Sequence, residues 1–165
     1  MRAGKWFLMI LIGFCGFVVA ADEEASTLVG PQAAKVGIET CADQWEHIGR
    51  FVEKGTEHTG SQIHFDKENP DQRLAHMVVE EAFSDRSVIS LITAVPTAAG
   101  TCDAALSRVH VLNKSCFQVA TEIGVTTSAN SLGRRSVFIE GNLTHYLLPV
   151  GEQCLLINYE TIRSN

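Results

Sequence analysis

The spacing of hydrophobic residues along the chain predicts three helices. The first covers residues 40–54, where an apolar residue recurs every three or four positions. Residues 70–83 form the second, because Asn69-Pro70 is a typical helix start and apolar residues follow at helical spacing. The third begins at Ser115, where Ser-x-x-Gln is a capping box, and ends near Gly124. The apolar stripe of the first helix consists of Cys41, Trp45, Ile48 and Val52.

Apolar and polar residues alternate, or β-branched residues cluster, in six further segments, which are predicted to be strands. The second and third strands are consecutive and are expected to form a hairpin. Gly141-Asn142 and Gly151-Glu152 are two-residue turns of the hairpin type, so the last three strands should form a meander. The strands are predicted at residues 61–66, 88–95, 104–112, 136–140, 143–150 and 154–162.

This order of helices and hairpins lacks the alternation that builds a parallel sheet, and it indicates the α+β class. We expect an antiparallel sheet of about five to six strands, with two or three helices packed on one face. Residues 39–165 should form this single domain. Residues 22–38 show no clear period and are interpreted as an extended lead-in. No internal repeat is evident in the pattern.

The N-terminal segment is typical of a secretory signal peptide. Arg2 and Lys5 precede an uncharged apolar run, and Val19-Ala20-Ala21 supplies small residues for cleavage before Asp22. The apolar run is short for a membrane span, which needs about 20 residues. We therefore expect residues 1–21 to be removed on export, leaving a secreted or periplasmic protein that is not held in a membrane.

Four cysteines remain after that cleavage, and in an exported protein they are expected to form two disulfides. A Cys102–Cys116 bridge is disfavoured, because the strand at 104–112 would hold these residues about 30 Å apart. If the last strand starts near Cys102, the pairing is Cys41–Cys116 and Cys102–Cys154. The alternative is Cys41–Cys102 with Cys116–Cys154.

The composition and net charge of the chain limit the kinds of molecule that it is expected to bind. The chain has 165 residues, of which 45% are hydrophobic and 19% charged, so it can form a core of its own. Its net charge of −6 argues against nucleic acid and anionic membranes as partners, since both require a basic surface. No GxSxG, HExxH, GxGxxG, P-loop or CxxC motif is present.

Two groups of polar residues are candidate sites. His64 and Asp66 would share one side of a strand, which suits an imidazole oriented by a carboxylate, and His58 or His76 could join them around a metal ion. Arg108 and His110 share a face of another strand and could bind an anion. Each group is more typical of a solvent-exposed polar surface than of a binding or catalytic site.

The sequons at Asn113 and Asn142 match the N-glycosylation pattern, which operates only in a eukaryotic secretory pathway. The leading hypothesis for function is a protein-binding module without a cofactor: an inhibitor, an immunity-type protein or an envelope accessory protein. Its partner would be another protein of the envelope or extracellular space. The alternative is a small secreted hydrolase or metal-dependent enzyme that uses His58, His64 and Asp66.

Overall fold

A computed structural model describes residues 27–124, 130–132 and 135–163. The expected signal peptide lies outside these residues. The described helices are α1 (Val29–Lys35), α2 (Ala42–Val52) and α3 (Cys116–Glu122). The described strands are β1 (His58–His64), β2 (Ala75–Ala82), β3 (Ser87–Pro96), β4 (Cys102–Leu112), β5 (Asn130–Leu132), β6 (Arg135–Glu140), β7 (Leu143–Val150) and β8 (Gln153–Arg163).

The described strands form one antiparallel sheet in the order β1-β2-β3-β4-β8-β7-β6-β5. The α+β class, the hairpin of β3 with β4 and the meander of β6, β7 and β8 are confirmed. The turns at Gly141 and Gly151 both have positive φ, as the predicted hairpin turns require. The sheet has eight strands in this part of the chain, more than the five to six expected.

One of the additional strands is β2, which occupies most of the region predicted as the second helix. That prediction was wrong because the apolar residues there fit helical spacing and strand alternation equally well. In the structure the burial of β2 alternates strictly, with Met77 and Val79 buried and Val78 exposed between them. Pairing with β1 and β3 on either side gives the backbone of residues 75–82 hydrogen-bond partners. This pairing favours a strand over a helix in this segment.

The lead-in also differs from its prediction, because residues 29–35 form helix α1 rather than an extended segment. Backbone N–H groups of Leu28 and Val29 donate to the Glu53 carboxylate, which caps the start of this helix. Gly49 allows α1 to lie close to α2, since a Cβ there would be 3.0 Å from the Cβ of Val29. These contacts join the lead-in to the domain.

The helices pack on one face of the sheet and form two separate hydrophobic cores. Helices α1 and α2 cover β1 to β4, and helix α3 covers β7 and β8 near the opposite end of the strands. The α2 stripe, including Trp45, is buried in the first core, as its helical spacing indicated. The capping box of α3 is also present, with the Ser115 hydroxyl accepting from the Gln118 N–H.

The disulfides join Cys41 to Cys102 and Cys116 to Cys154, with Cα separations of 5.3 Å and 4.8 Å. The predicted pairing of Cys41 with Cys116 and Cys102 with Cys154 was therefore wrong, and the alternative is the one found. The error arose from the position of β8. This strand lies directly beside β4 and antiparallel to it, so Cys154 is opposite Leu112, close to Cys116 and far from Cys102.

The structure reveals an internal repeat that the sequence pattern did not suggest. Helix α2 with β1–β4 and helix α3 with β5–β8 are each a helix followed by a four-stranded meander. Each half contains one disulfide, from the helix start to the fourth strand, where the cysteine is paired with a proline of the third strand. The matching prolines and cysteines are Pro96 opposite Cys102 and Pro149 opposite Cys154.

The two halves meet where β4 pairs with β8. Ser107 and Tyr159 are directly opposite each other, and each lies five residues beyond the fourth-strand cysteine of its half. The pairing is therefore symmetric about this point. An approximate two-fold axis perpendicular to the sheet passes between Ser107 and Tyr159 and relates one half to the other.

Candidate functional site

The structure separates His58 from His64 and places His76 beside His64. His58 and His64 are at opposite ends of β1, about 20 Å apart, so they cannot bind the same metal ion. His64 instead stacks on His76, its neighbour in β2, with ring centroids 5.0 Å apart. Among the described residues, no three His, Cys, Asp or Glu side chains come close enough together to hold a metal.

Asp66 has a local structural role. It lies beyond the end of β1, and its Oδ1 accepts from the backbone N–H groups of Glu68 and Asn69. This is the hydrogen bonding of an Asx turn, which shapes the loop between β1 and β2. The expected pairing of Asp66 with His64 on one strand face is therefore not formed, and the hydrolase alternative gains no support from this region.

Arg108 and His110 do lie on one face of β4, as predicted, and this is the face that carries the helices. They belong to a band of polar side chains that crosses the sheet between the two hydrophobic cores. Most members lie directly opposite one another on neighbouring strands, so the band runs almost perpendicular to the strands. We call it the polar band; it consists of Glu81, Ser90, Arg108, His110, His145 and Asn158.

The charge of Arg108 is balanced within the band. Its guanidinium forms a salt bridge with the carboxylate of Glu81, which is fully buried and also accepts from the Ser90 hydroxyl. The same guanidinium lies 5.2 Å from the centroid of the Phe51 ring on α2. At the other side of the band, His145 Nδ1 donates to Asn158 Oδ1 at 2.8 Å.

His110 contributes no positive charge at neutral pH. Burial, together with the positive charges of Arg108 and Arg86, lowers the pKa of its imidazole from 6.5 to about 4. Because Arg108 is neutralised by Glu81 and His110 is uncharged, this pair does not present the net positive charge that an anion-binding strip needs. Binding of an anion by Arg108 and His110 is therefore not supported. Their location on the helix-bearing face nevertheless makes them part of the polar band.

A groove borders the polar band where α2 crosses the centre of the sheet. It consists of a cavity of about 420 Å³ and a smaller one of about 90 Å³, which share the side chains of Phe51, Leu106 and Glu160. Phe51, Leu106, Ile162 and Leu143 supply apolar walls. The smaller cavity also reaches Arg108 and Asn158, so the groove connects with the polar band.

Glu160 is the uncompensated charge of this groove. Its side chain is partly buried, and no described residue forms a hydrogen bond or ion pair with its carboxylate. The nearby Arg108 is paired with Glu81, and Arg50 at the outer end is paired with Glu46 at 3.3 Å. An unpaired carboxylate beside apolar walls attracts a cationic group, because such a group can donate a charge-assisted hydrogen bond to it.

The internal repeat explains why Glu160 is unpaired. Arg108 and Glu160 are equivalent positions, each six residues beyond the fourth-strand cysteine of its half. In the N-terminal half the position opposite Arg108 on the third strand is Ser90, which is hydrogen-bonded to Glu81. In the C-terminal half the position opposite Glu160 is Leu143, an apolar residue.

Sequence reasoning missed Glu160 and Phe51, because the groove joins residues from distant parts of the chain. The repeat, however, has a sequence signal. Cys-x6-Ile-Gly occurs twice, at 41–49 and 116–124, and it would have aligned the two helices and the two disulfides.

The chain has no counterpart in the comparisons with known proteins. No family model matches it, and neither a curated protein nor a solved structure is similar to it. None of the helices in the described ranges is long and apolar enough to cross a bilayer. The geometry of the groove is therefore the basis for a functional proposal.

Proposed function

We propose that the protein is an exported protein-binding module, and that its groove takes up a basic side chain of a partner protein. The observation that carries this proposal is the unpaired carboxylate of Glu160, whose partly buried side chain lies between the apolar walls of the groove. The two disulfides are consistent with an oxidising compartment, which supports export. The partner would be another protein of the envelope or extracellular space.

A lysine side chain has the shape and chemistry that the groove requires. Its aliphatic stem would pack along Phe51 and Leu106, while its ammonium group would reach the Glu160 carboxylate. Phe51 is 51% exposed although it is a large aromatic residue, so it is accessible to an incoming side chain. Arginine fits for the same reason, since the exposed ring can also stack on a guanidinium.

The overall charge of the chain favours the same class of partner. A net charge of −6 attracts basic surfaces and repels acidic ones before contact is made. Within the groove the two neighbouring arginines are already neutralised by Glu46 and Glu81, so they do not cancel the attraction of Glu160.

The direct test is an NMR titration of the disulfide-bonded protein with N-acetyl-lysine amide. We expect shifts at Phe51, Leu106 and Glu160, and none with N-acetyl-glutamate amide as the matched probe. The variant Glu160→Gln keeps the shape of the side chain and should weaken lysine binding by roughly 10–100-fold, since a hydrogen bond between charged groups is lost. Glu152→Gln, in an exposed turn, removes the same charge elsewhere and should have no effect.

Affinity capture from the native envelope then tests the protein partner. Wild type and Glu152→Gln should retain the same partner, and Glu160→Gln should lose it. If the glutamate probe binds as well as the lysine probe, or if Glu160→Gln binds lysine like wild type, the assignment of the groove to a basic side chain is wrong.

A further inference from the structure

The side of the sheet that faces away from the helices is broad, apolar and uncovered by any described helix. We call this side of β2, β3, β4, β8, β7 and β6 the open face. Several of its large side chains are strongly exposed, including Ile89 at 44%, Leu91 at 40% and Val111 at 60%. An exposed apolar surface of this extent marks an interaction site in a protein that is not embedded in lipid.

The centre of the open face is almost free of charge. On β3, β4, β7 and β8 only two charged side chains point to this side, Asp103 and Arg163. The two residues are paired across β4 and β8, and their charges have opposite signs, so the net charge of the pair is zero. The rest of the centre is apolar or neutral, and two rows of apolar residues dominate it: Ile89, Val109, Ile157 and Tyr146, then Val111, Leu155 and Leu148.

We infer that the open face binds a second copy of the same chain, so that two sheets pack face to face. A neutral face on an acidic protein can meet a copy of itself without electrostatic repulsion, whereas the remaining surface of the molecule, with its net negative charge, opposes self-contact. A two-fold dimer uses one self-complementary patch on both subunits, and a neutral apolar sheet face can meet that requirement.

The size of the open face agrees with a stable interface. Six strands spaced about 4.8 Å apart and roughly eight residues long present about 800 Å². This is close to the area that each partner buries in a standard protein–protein interface, about 800 Å². Two such sheets pack about 10 Å apart with their strands roughly aligned, as in a β-sandwich.

Sedimentation of the disulfide-bonded protein over a range of micromolar concentrations tests the dimer. We expect twice the monomer mass at high concentration, with little effect of added salt, because the contact is apolar. Ile89→Lys and Val111→Lys should each weaken the association by about 100-fold or more, since an unpaired charge would be buried. Phe117→Lys is the matched control: it changes an 83% exposed aromatic on α3, away from the open face, and should leave the dimer intact.

A second measurement uses the unmodified protein, so its result does not depend on whether the lysine variants fold. A soluble paramagnetic probe should broaden the methyl signals of Ile89 and Val111 in dilute samples and spare them in concentrated ones. A wild-type protein that stays monomeric at high micromolar concentration would overturn the inference. So would dimers that persist in both lysine variants. Glu160→Gln should dimerise normally, which separates this test from that of the groove.

Discussion

The guanidinium of Arg108 forms a salt bridge with the carboxylate of Glu81, which is completely buried. The two residues come from β4 and β2, and their contact crosses β3, whose Ser90 donates to the same carboxylate. This small network lies between the two hydrophobic cores and holds three strands of the N-terminal half in register. Because the salt bridge neutralises Arg108, the Glu160 carboxylate is the charge of the groove that is available to a ligand.

Removing one partner of this pair should destabilise the fold strongly. Arg108→Met would leave the Glu81 carboxylate buried without a cation, at a cost of about 3–5 kcal/mol in the free energy of unfolding. Urea unfolding followed by circular dichroism measures the change. The double variant Glu81→Leu with Arg108→Met removes both charges and should recover most of the loss. A single variant as stable as wild type would show that the pair is not buried in solution.

The stability of the protein should fall as the pH is lowered from 6.5 towards 4. The pKa of His110 is about 4 in the folded protein and 6.5 in the unfolded chain, so the unfolded chain binds more protons in this range. The stabilisation is complete above pH 6.5 and decreases as the pH falls towards the folded value. We expect a loss of about 2 kcal/mol after allowance for solvent screening.

The matched variant for this effect is His110→Phe, which cannot be protonated. Urea unfolding at a series of pH values should show a shallower slope between pH 6.5 and 4 for the variant than for wild type. Equal slopes for the two proteins would mean that His110 titrates normally in the folded state.

Each disulfide should contribute a similar amount of stability. Cys41–Cys102 spans 61 residues and Cys116–Cys154 spans 38, so loop-closure entropy assigns about 4 kcal/mol to each. The double variants Cys41→Ala with Cys102→Ala, and Cys116→Ala with Cys154→Ala, should each lose about this amount in chemical unfolding. Peptide mapping without reduction should recover only these two linkages, and a Cys41–Cys116 peptide would contradict the fold.

Glu160→Gln should leave the stability almost unchanged, within about 1 kcal/mol, although it is expected to weaken binding in the groove. Because the wild-type carboxylate has no partner among the described residues, its removal breaks no bond. Thermal unfolding of the variant beside wild type measures this. A large loss of stability would instead assign Glu160 a structural role.

Strong local signals made most of the fold predictable. β3 is a dense β-branched run, the final strands are separated by glycine turns, and α3 begins at a capping box, so each was identified from neighbouring residues alone. Residues 75–82 were misassigned, because Leu74, Met77, Val78 and Ala82 fit helical spacing and only pairing with β1 and β3 shows that they form a strand.

The disulfides and the groove depend on long-range placement. The pairing of Cys154 follows from the insertion of β8 beside β4, which no local pattern encodes. The groove likewise combines Phe51 of α2 with Glu160 of the last strand. These two residues are close together because of the order of the strands in the sheet. Arg108 and His110 were correctly placed on one face, but the partner that neutralises Arg108 could not be identified from their spacing.

Neither disulfide crosses the boundary between the two halves of the fold. The covalent connection between them is the short segment from Asn113 to Ser115, which joins β4 to α3. A protease site introduced there would therefore yield two fragments, each closed by its own cross-link and held to the other mainly through the pairing of β4 with β8. The chain is thus a natural candidate for a split protein, in which reassembly of the fragments reports that two fused partners have met.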